Sequence, residues 1–183
     1  MRTTLFIAAA AALLAACSDR QPTAPAPERS ASPALASAQG QYGAALAELR
    51  RVTARYHDID TARADGFIPV TSGCAEEAGG EVMPIPFANI ERLFDSRIDP
   101  SRPDALLYEP TANGRMRLVG VELAIPFTQW SETAPPAFLG HAFEREEELG
   151  VYGLHIWVWS HNPEGMFAEG NPRITCAGLT TSD

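Results

Sequence analysis

The residues best suited to chemistry in this 183-residue sequence are one glutamate and two histidines in its C-terminal half. Glu122 is the only charged side chain in the apolar run Leu118–Pro126, and His155 lies in the otherwise apolar run 154–159. His141 follows a glycine between these two runs. Imidazole and carboxylate groups bind zinc, iron and copper, so Glu122, His141 and His155 form a candidate ligand or transition-metal site. Their spacing matches no recognised metal motif, and a buried histidine hydrogen-bonded to a strand glutamate is the alternative interpretation.

Two tryptophans near His155 are candidates to line a binding pocket. In strict strand alternation, Trp157 and Trp159 share the face of His155 and would shape an aromatic cavity, although burial in a hydrophobic core is the alternative for both. His161 is six residues from His155, or roughly 20 Å along a strand, which is too far for one metal ion unless the chain turns. The acidic run 144–148 is typical of a solvated loop.

A helix and a sheet must position these residues. Apolar side chains recur at helical spacing over Gln41–His57, which predicts an amphipathic helix packed on a sheet. A shorter helix is predicted over Asp58–Gly66, where an aspartate caps its start and a glycine ends it. The later signals are those of strands, with Asn113-Gly114 as a strong hairpin signal. This order predicts an α+β fold with a mainly antiparallel sheet, either open or curled into a partial barrel.

The strands that carry the candidate residues are short and apolar. Strands are predicted over 67–70, 82–87, 105–108, 116–127, 154–160 and 174–176. On the fourth of these, alternation places Glu122 on the same face as Leu118 and Ala124. The fifth is apolar on both faces, which is typical of a central strand.

The first 17 residues resemble a bacterial lipoprotein signal. An apolar run of 12 residues, Leu5–Ala16, follows a positively charged start, and it is shorter than the roughly 20 residues that span a bilayer. The run ends in Leu14-Ala15-Ala16-Cys17, and the resemblance implies removal of residues 1–16 and lipidation of Cys17 by diacylglycerol and an acyl chain such as palmitate. Two or more chains give a stable anchor, so the expected partner is a lipid bilayer of the cell envelope. Ser18 in place of an aspartate favours the outer membrane if the host has two membranes.

The segment after the signal is predicted to be a tether. Residues 17–40 comprise the lipidated cysteine and a stretch rich in alanine, proline and serine that shows no apolar period. The prediction for 41–183 is a single globular α+β domain, which is long enough to bury one core.

The two remaining cysteines are predicted to form a disulfide. Cys74 and Cys176 are an even pair in a chain expected to be exported to an oxidising compartment. The bond would close a loop of about 100 residues, for which the chain-entropy estimate is about 4–5 kcal/mol. A redox pair and two thiolate metal ligands are the alternatives, and no Cys-x-x-Cys spacing supports either.

The charge of the sequence excludes several classes of function. All 14 basic residues are arginine, 23 residues are acidic and the net charge is −9, which predicts no nucleic-acid binding. Without lysine there is neither a Schiff-base enzyme nor an ordinary P-loop. The expected function is that of a non-catalytic envelope domain that binds a small ligand or a protein partner. The alternative is a metal-dependent enzyme or metal-binding protein that uses Glu122, His141 and His155.

Several segments of the domain carry a second resemblance. They are Tyr56–Ile59, Ala64–Gly66, Ala105–Pro110, Arg117–Glu122, Leu154–Trp159, Asn162–Ala168 and Asn171–Cys176. In these segments the chain is similar to a group of uncharacterised secreted bacterial proteins, some of them lipid-anchored, over most of residues 50–176. The resemblance implies an exported domain and carries no activity with it.

Overall fold

The structure, a computed structural model, describes residues 33–76 and 79–177. The signal segment 1–16, Cys17 and the predicted tether up to residue 32 lie outside the described residues, and what the sequence predicts for them stays a prediction. The described residues belong to one folded unit that begins at Pro33.

The helices of the described chain are short apart from the first. They are α1 (Pro33–Thr53), α2 (Ile59–Ala64) and α3 (Ile90–Leu93), with 3-10 turns at Ala54–His57 and Phe127–Gln129. Helix α1 begins eight residues before the predicted start at Gln41, at a proline, which is favoured in the first turn of a helix. Helix α2 begins as predicted, because the carboxylate of Asp58 accepts the backbone N–H of Asp60 at 3.0 Å. None of the helices among the described residues combines the length and the apolar character that a bilayer crossing needs.

The strands form one six-stranded sheet and two small ribbons within the described residues. The strands are β1 (Phe67–Pro69), β2 (Ala75–Glu76), β3 (Val82–Met83), β4 (Ile85–Asn89), β5 (Ala105–Pro110), β6 (Met116–Pro126), β7 (Ala137–Phe138), β8 (His141–Ala142), β9 (Glu144–Glu146) and β10 (Val151–Ile156). The sheet order is β1-β4-β5-β6-β10-β9 with antiparallel pairs throughout, while β2 pairs with β3 and β7 with β8. The α+β class and the antiparallel sheet are confirmed. The edge strands β1 and β9 do not pair with each other in the described chain, so the sheet does not close into a barrel.

The hairpin between β5 and β6 forms at the predicted Asn113-Gly114. Gly114 has a φ of 75°, a conformation that glycine adopts without steric cost. The N–H of Thr111 donates to the carbonyl oxygen of Arg115 at 2.8 Å and closes the turn. A local sequence signal therefore fixes the register of the two central strands.

A β-bulge on β6 changes which residues share the face of Glu122. Leu107 pairs with Gly120 and Tyr108 pairs with Leu118, so Val119 is an extra residue of β6 between these two pairs. Because one extra residue reverses the alternation, Leu118 faces the opposite side of the sheet from Glu122. The predicted grouping of Glu122 with Leu118 is therefore wrong.

The main hydrophobic core lies between the helices and one face of the sheet. Leu46 and Leu49 of α1 are buried in it, and the hydroxyl of Tyr108 donates to the carbonyl oxygen of Tyr56 at 2.6 Å. The buried sheet residues of this core are Phe67, Ile85, Phe87, Leu106, Tyr108, Leu118, Val121, Leu123, Leu154 and Ile156. The other face of the sheet carries a smaller hydrophobic core beside polar groups and cavities.

Strand β10 ends at Ile156 and not at the predicted Ser160. The N–H of Val158 donates to the carbonyl oxygen of Ile156 at 2.8 Å, so the chain turns and strict alternation is lost. As a result Trp157 and Trp159 face different cores. Trp159 packs against the main core, whereas Trp157 belongs to a smaller core with Val82, Leu107, Val119 and Ile174.

The C-terminal segment of the described chain is held by a covalent bond and by side chains. The predicted disulfide between Cys74 and Cys176 is confirmed, with 5.6 Å between the two Cα atoms. Nearby, the buried carboxylate of Glu109 accepts the N–H of Thr175 at 2.9 Å. Residues 174–176 are not the predicted strand, and these bonds fix the segment without one.

Candidate metal centre

Three neighbouring strands bring Glu122, Glu146 and His155 together on the sheet face opposite α1. Strand β10 lies between β6 and β9, and Glu122 is the direct cross-strand partner of His155. Glu146 reaches the same place from β9. Each of the three residues offers one ligand atom, and these atoms lie within 4.8 Å of one another. We call this group of three residues, which is a candidate for metal binding, the metal centre.

One hydrogen bond fixes the orientation of His155. Its Nδ1 lies 2.6 Å from the carbonyl oxygen of Glu169, and because a carbonyl only accepts, Nδ1 carries the hydrogen. In the neutral ring the lone pair is then on Nε2, which lies 3.9 Å from Oε2 of Glu122. Metal-binding histidines typically donate their second nitrogen to a carbonyl or carboxylate in this way.

A glycine makes the approach of the two carboxyl groups possible. A Cβ atom at Gly153 would lie 1.9 Å from Oε1 of Glu146 and 2.7 Å from Oε1 of Glu122. Any larger residue would therefore push the two carboxyl groups out of their positions. The missing side chain of Gly153 shapes a cradle for two oxygen ligands at the middle of β10.

Burial sets the protonation of the metal centre. It raises the pKa of Glu122 well above its usual range, and the neighbouring carboxylates of Glu146 and Asp104 raise it further. Burial also raises the pKa of Glu146, while the hydrogen bond from Glu122 lowers it. Both shifts favour a proton shared within the pair. Burial lowers the pKa of His155, so its ring is neutral and can act as a ligand.

The donor set suits a divalent transition metal. One imidazole nitrogen and two carboxylate oxygens are ligands that Zn²⁺ accepts, and three protein ligands leave at least one position open. All three residues line a cavity of about 390 Å³, which we call the acidic cavity because Glu147, Glu148 and Glu169 also line it. A metal ion bound by these residues would face that space.

A second cavity meets the metal centre at Glu122. It has a volume of about 420 Å³, and most of its lining is apolar, so we call it the apolar cavity. Asp104, which is 2% exposed, also lines it, and its carboxylate accepts the N–H of Ala124 at 2.9 Å. Burial raises the pKa of Asp104 to about 7 despite this hydrogen bond.

The structure brings together two of the three ligands suggested by the sequence. Glu122 and His155 are cross-strand partners, but His141 lies on β8 and is not part of the metal centre. The imidazole of His141 is exposed and stacks on the ring of Phe167, with 3.9 Å between the centroids. Its place in the metal centre is taken by Glu146.

The two tryptophans line a different cavity. Trp157 and Trp159 border a third space of about 390 Å³, which shares no described lining residue with the other two cavities. Both indoles are hydrogen-bonded within the protein. Trp157 donates to the carbonyl oxygen of Ala168 at 2.6 Å and Trp159 donates to Oγ1 of Thr53 at 3.0 Å.

Sequence reasoning missed Glu146, Asp104 and Gly153. Glu146 belongs to the run interpreted as a solvated loop, yet residues 144–146 form β9 and pair with β10. The alternation of Glu144 and Glu146 was the available signal, because alternate residues of a strand share one face. A glycine in the interior of a strand often marks a place where other groups approach the backbone closely, and Gly153 is such a glycine.

Comparison of the chain with protein-family models, curated proteins and solved structures finds no match.

Proposed function

We propose that the domain binds a divalent transition metal ion, with Zn²⁺ as the first candidate, through Glu122, Glu146 and His155. The observation that carries the proposal is the convergence of three ligand atoms within 4.8 Å on three neighbouring strands. The bond from His155 to the carbonyl oxygen of Glu169 supports it, since it aims Nε2 at the carboxyl groups.

The electrostatics of the group support the same function. Two carboxyl groups compete for one proton in a buried place, and a metal ion that replaces this proton would relieve the repulsion between them. His155 needs no deprotonation before binding because burial lowers its pKa. When bound, such an ion supplies Lewis-acid chemistry at an open position beside the acidic cavity.

We further propose that the domain is exported and anchored to a membrane of the cell envelope through lipidated Cys17. The resemblance of Leu14-Ala15-Ala16-Cys17 to a lipoprotein signal supports this location. The disulfide between Cys74 and Cys176 is also typical of exported proteins. The metal centre would then take its ion from the envelope and not from the cytosol.

The metal proposal is tested on protein purified without a histidine tag. Elemental analysis and titration calorimetry with zinc measure stoichiometry and affinity for the wild type and for E122Q, E146Q and H155Q. We expect one ion per chain and a loss of affinity of at least about tenfold in each variant, because each loses a ligand. Bound zinc at about 100 times its Kd should also stabilise the fold by about 2.7 kcal/mol, and a chelator should reverse this.

The control for these variants is H141Q. It removes an exposed imidazole that is not part of the metal centre and should leave zinc affinity unchanged. Circular dichroism shows whether each variant is folded. If folded H155Q and E122Q bind zinc as tightly as the wild type, the metal function is refuted.

A second candidate function is the binding of a small ligand in the apolar cavity. Its volume of about 420 Å³ lies within the range of roughly 300–1,000 Å³ of small-molecule sites. This is the non-catalytic binding function expected from the sequence, and it does not depend on a metal ion.

A further inference from the structure

We propose that the ligand of the apolar cavity is a small organic amine, with a compact hydrocarbon body and an ammonium group directed at Asp104 and Glu122. The proposal rests on the second candidate function, ligand binding in that cavity, and not on metal binding.

The walls select a hydrocarbon body. Apolar side chains make up most of the lining, and three of the four large apolar side chains that are exposed among the described residues border this cavity. These three are Ile90, Phe94 and Leu149, which are 43%, 54% and 37% exposed. Clustered exposed apolar side chains mark places where a ligand completes the burial of the surface.

The inner wall of the apolar cavity, formed by Asp104 and Glu122, favours a cationic group on the ligand. Asp104 and Glu122 are 2% and 3% exposed, and both line the cavity. An ammonium group beside these two buried carboxyl groups favours their ionised form, and their oxygens then accept its three N–H donors. An alcohol brings one donor without a charge, whereas a carboxylate brings no donor and a charge that the ionised form would repel.

None of the arginines among the described residues lines this cavity. The nearby Arg92 donates to the carbonyl oxygen of Pro103 at 3.2 Å, and its guanidinium lies over the ring of Phe67. Arg92 is not among the residues that line the cavity. The charge complement at the inner wall is therefore left to a ligand.

The test compares three probes that share a body and differ in the head group. They are cyclohexylmethylamine, cyclohexylmethanol and cyclohexanecarboxylate, titrated into the folded protein in the presence of EDTA so that no metal ion occupies Glu122. Calorimetry gives the affinities, and NMR follows the amide of Ala124, which donates to Asp104. We expect the amine to bind at least about tenfold more tightly than the alcohol, since a charged hydrogen bond replaces a neutral one.

Two variants assign this preference to the inner wall. In D104N and E122Q the amine should lose its advantage over the alcohol, while the alcohol should bind as it does to the wild type. The control is E132Q, which neutralises an exposed carboxylate outside the cavity. If D104N does not fold, E122Q alone decides, because it changes the same wall from strand β6.

The outcomes separate the inference from the function on which it rests. Equal binding of amine and alcohol to the wild type, or an amine preference that survives both variants, overturns the inference and leaves the cavity as a ligand site. Failure of all three probes to bind overturns both. Neither result bears on zinc binding, because the titrations contain EDTA.

Discussion

Replacing Gly153 by alanine should damage the metal centre without removing a ligand or changing a charge. The new Cβ atom would lie 1.9 Å from Oε1 of Glu146 and 2.7 Å from Oε1 of Glu122, both far below van der Waals contact. Glu146 is half-buried and can turn towards solvent, whereas Glu122 is fully enclosed and must shift within the sheet face. The substitution therefore separates the two carboxyl groups.

The expected loss of stability is small because two effects oppose each other. Overpacking a buried place costs about 1–3 kcal/mol, and the movement of Glu146 keeps the cost at the lower end. Replacing glycine by alanine returns about 0.4–1 kcal/mol by restricting the unfolded chain. We expect a net destabilisation of about 1 kcal/mol. Zinc affinity should fall further, by roughly 10- to 100-fold, because the ligand positions are lost.

Denaturant unfolding and zinc calorimetry measure the two effects on the same protein. The matched control is G43A in helix α1, where a Cβ atom would meet nothing within 4 Å. G43A should stabilise the fold by about 0.5–1 kcal/mol and leave zinc affinity unchanged. If G153A binds zinc as tightly as G43A does, the two carboxyl groups are not held in place by the glycine and the geometry of the metal centre is wrong.

Three other predictions concern pH, the disulfide and the anchor. Burial raises the pKa of Asp104 from 3.8 to about 7, so the native state binds more protons than the unfolded chain between these pH values. The raised pKa therefore contributes roughly 4 kcal/mol to the free energy of unfolding at low pH, and this contribution declines as pH rises through that window. Urea unfolding from pH 4 to 7.5 should therefore show a flatter profile in D104N than in the wild type, and parallel profiles would contradict this origin. The double variant C74S/C176S should lose about 2–5 kcal/mol in the free energy of unfolding, and an unchanged melting temperature after reduction of the wild type would oppose that expectation. In cell fractionation, C17A should move from the membrane to the soluble exported fraction, and retention at the membrane would exclude the lipid anchor.

Local signals predicted the parts of the fold that neighbouring residues determine. The turn at Asn113-Gly114 follows from the freedom of glycine to adopt positive φ, and it was visible in two residues. The disulfide followed from the even number of remaining cysteines and the expected export of the chain. Glu122 and His155 stood out because a charged or polar residue in an apolar strand must have a partner.

The remaining features depend on pairing between distant segments, which sequence spacing does not encode. Strand β9 consists of three charged residues and forms by pairing with the edge of β10. The sequence pattern of β9 alone therefore did not indicate the position of Glu146. The bulge at Val119 arises where β5 and β6 adjust their register, and the adjacent Gly120 is compatible with a bulge without determining its position. His141 was suggested as a ligand by its residue type alone, and its position on the separate ribbon of β7 and β8 removes it from the metal centre.

The division of the sheet into a helix-covered face and a cavity-bearing face has a consequence for how such a domain can diverge. The main core draws on Val121, Leu123 and Leu154, whereas their immediate neighbours Glu122 and His155 belong to the metal centre. Because alternate residues serve separate purposes, mutation can remodel the ligand face while selection on folding preserves the other. Homologous domains can therefore share the buried pattern of these strands and differ in the side chains of the opposite face.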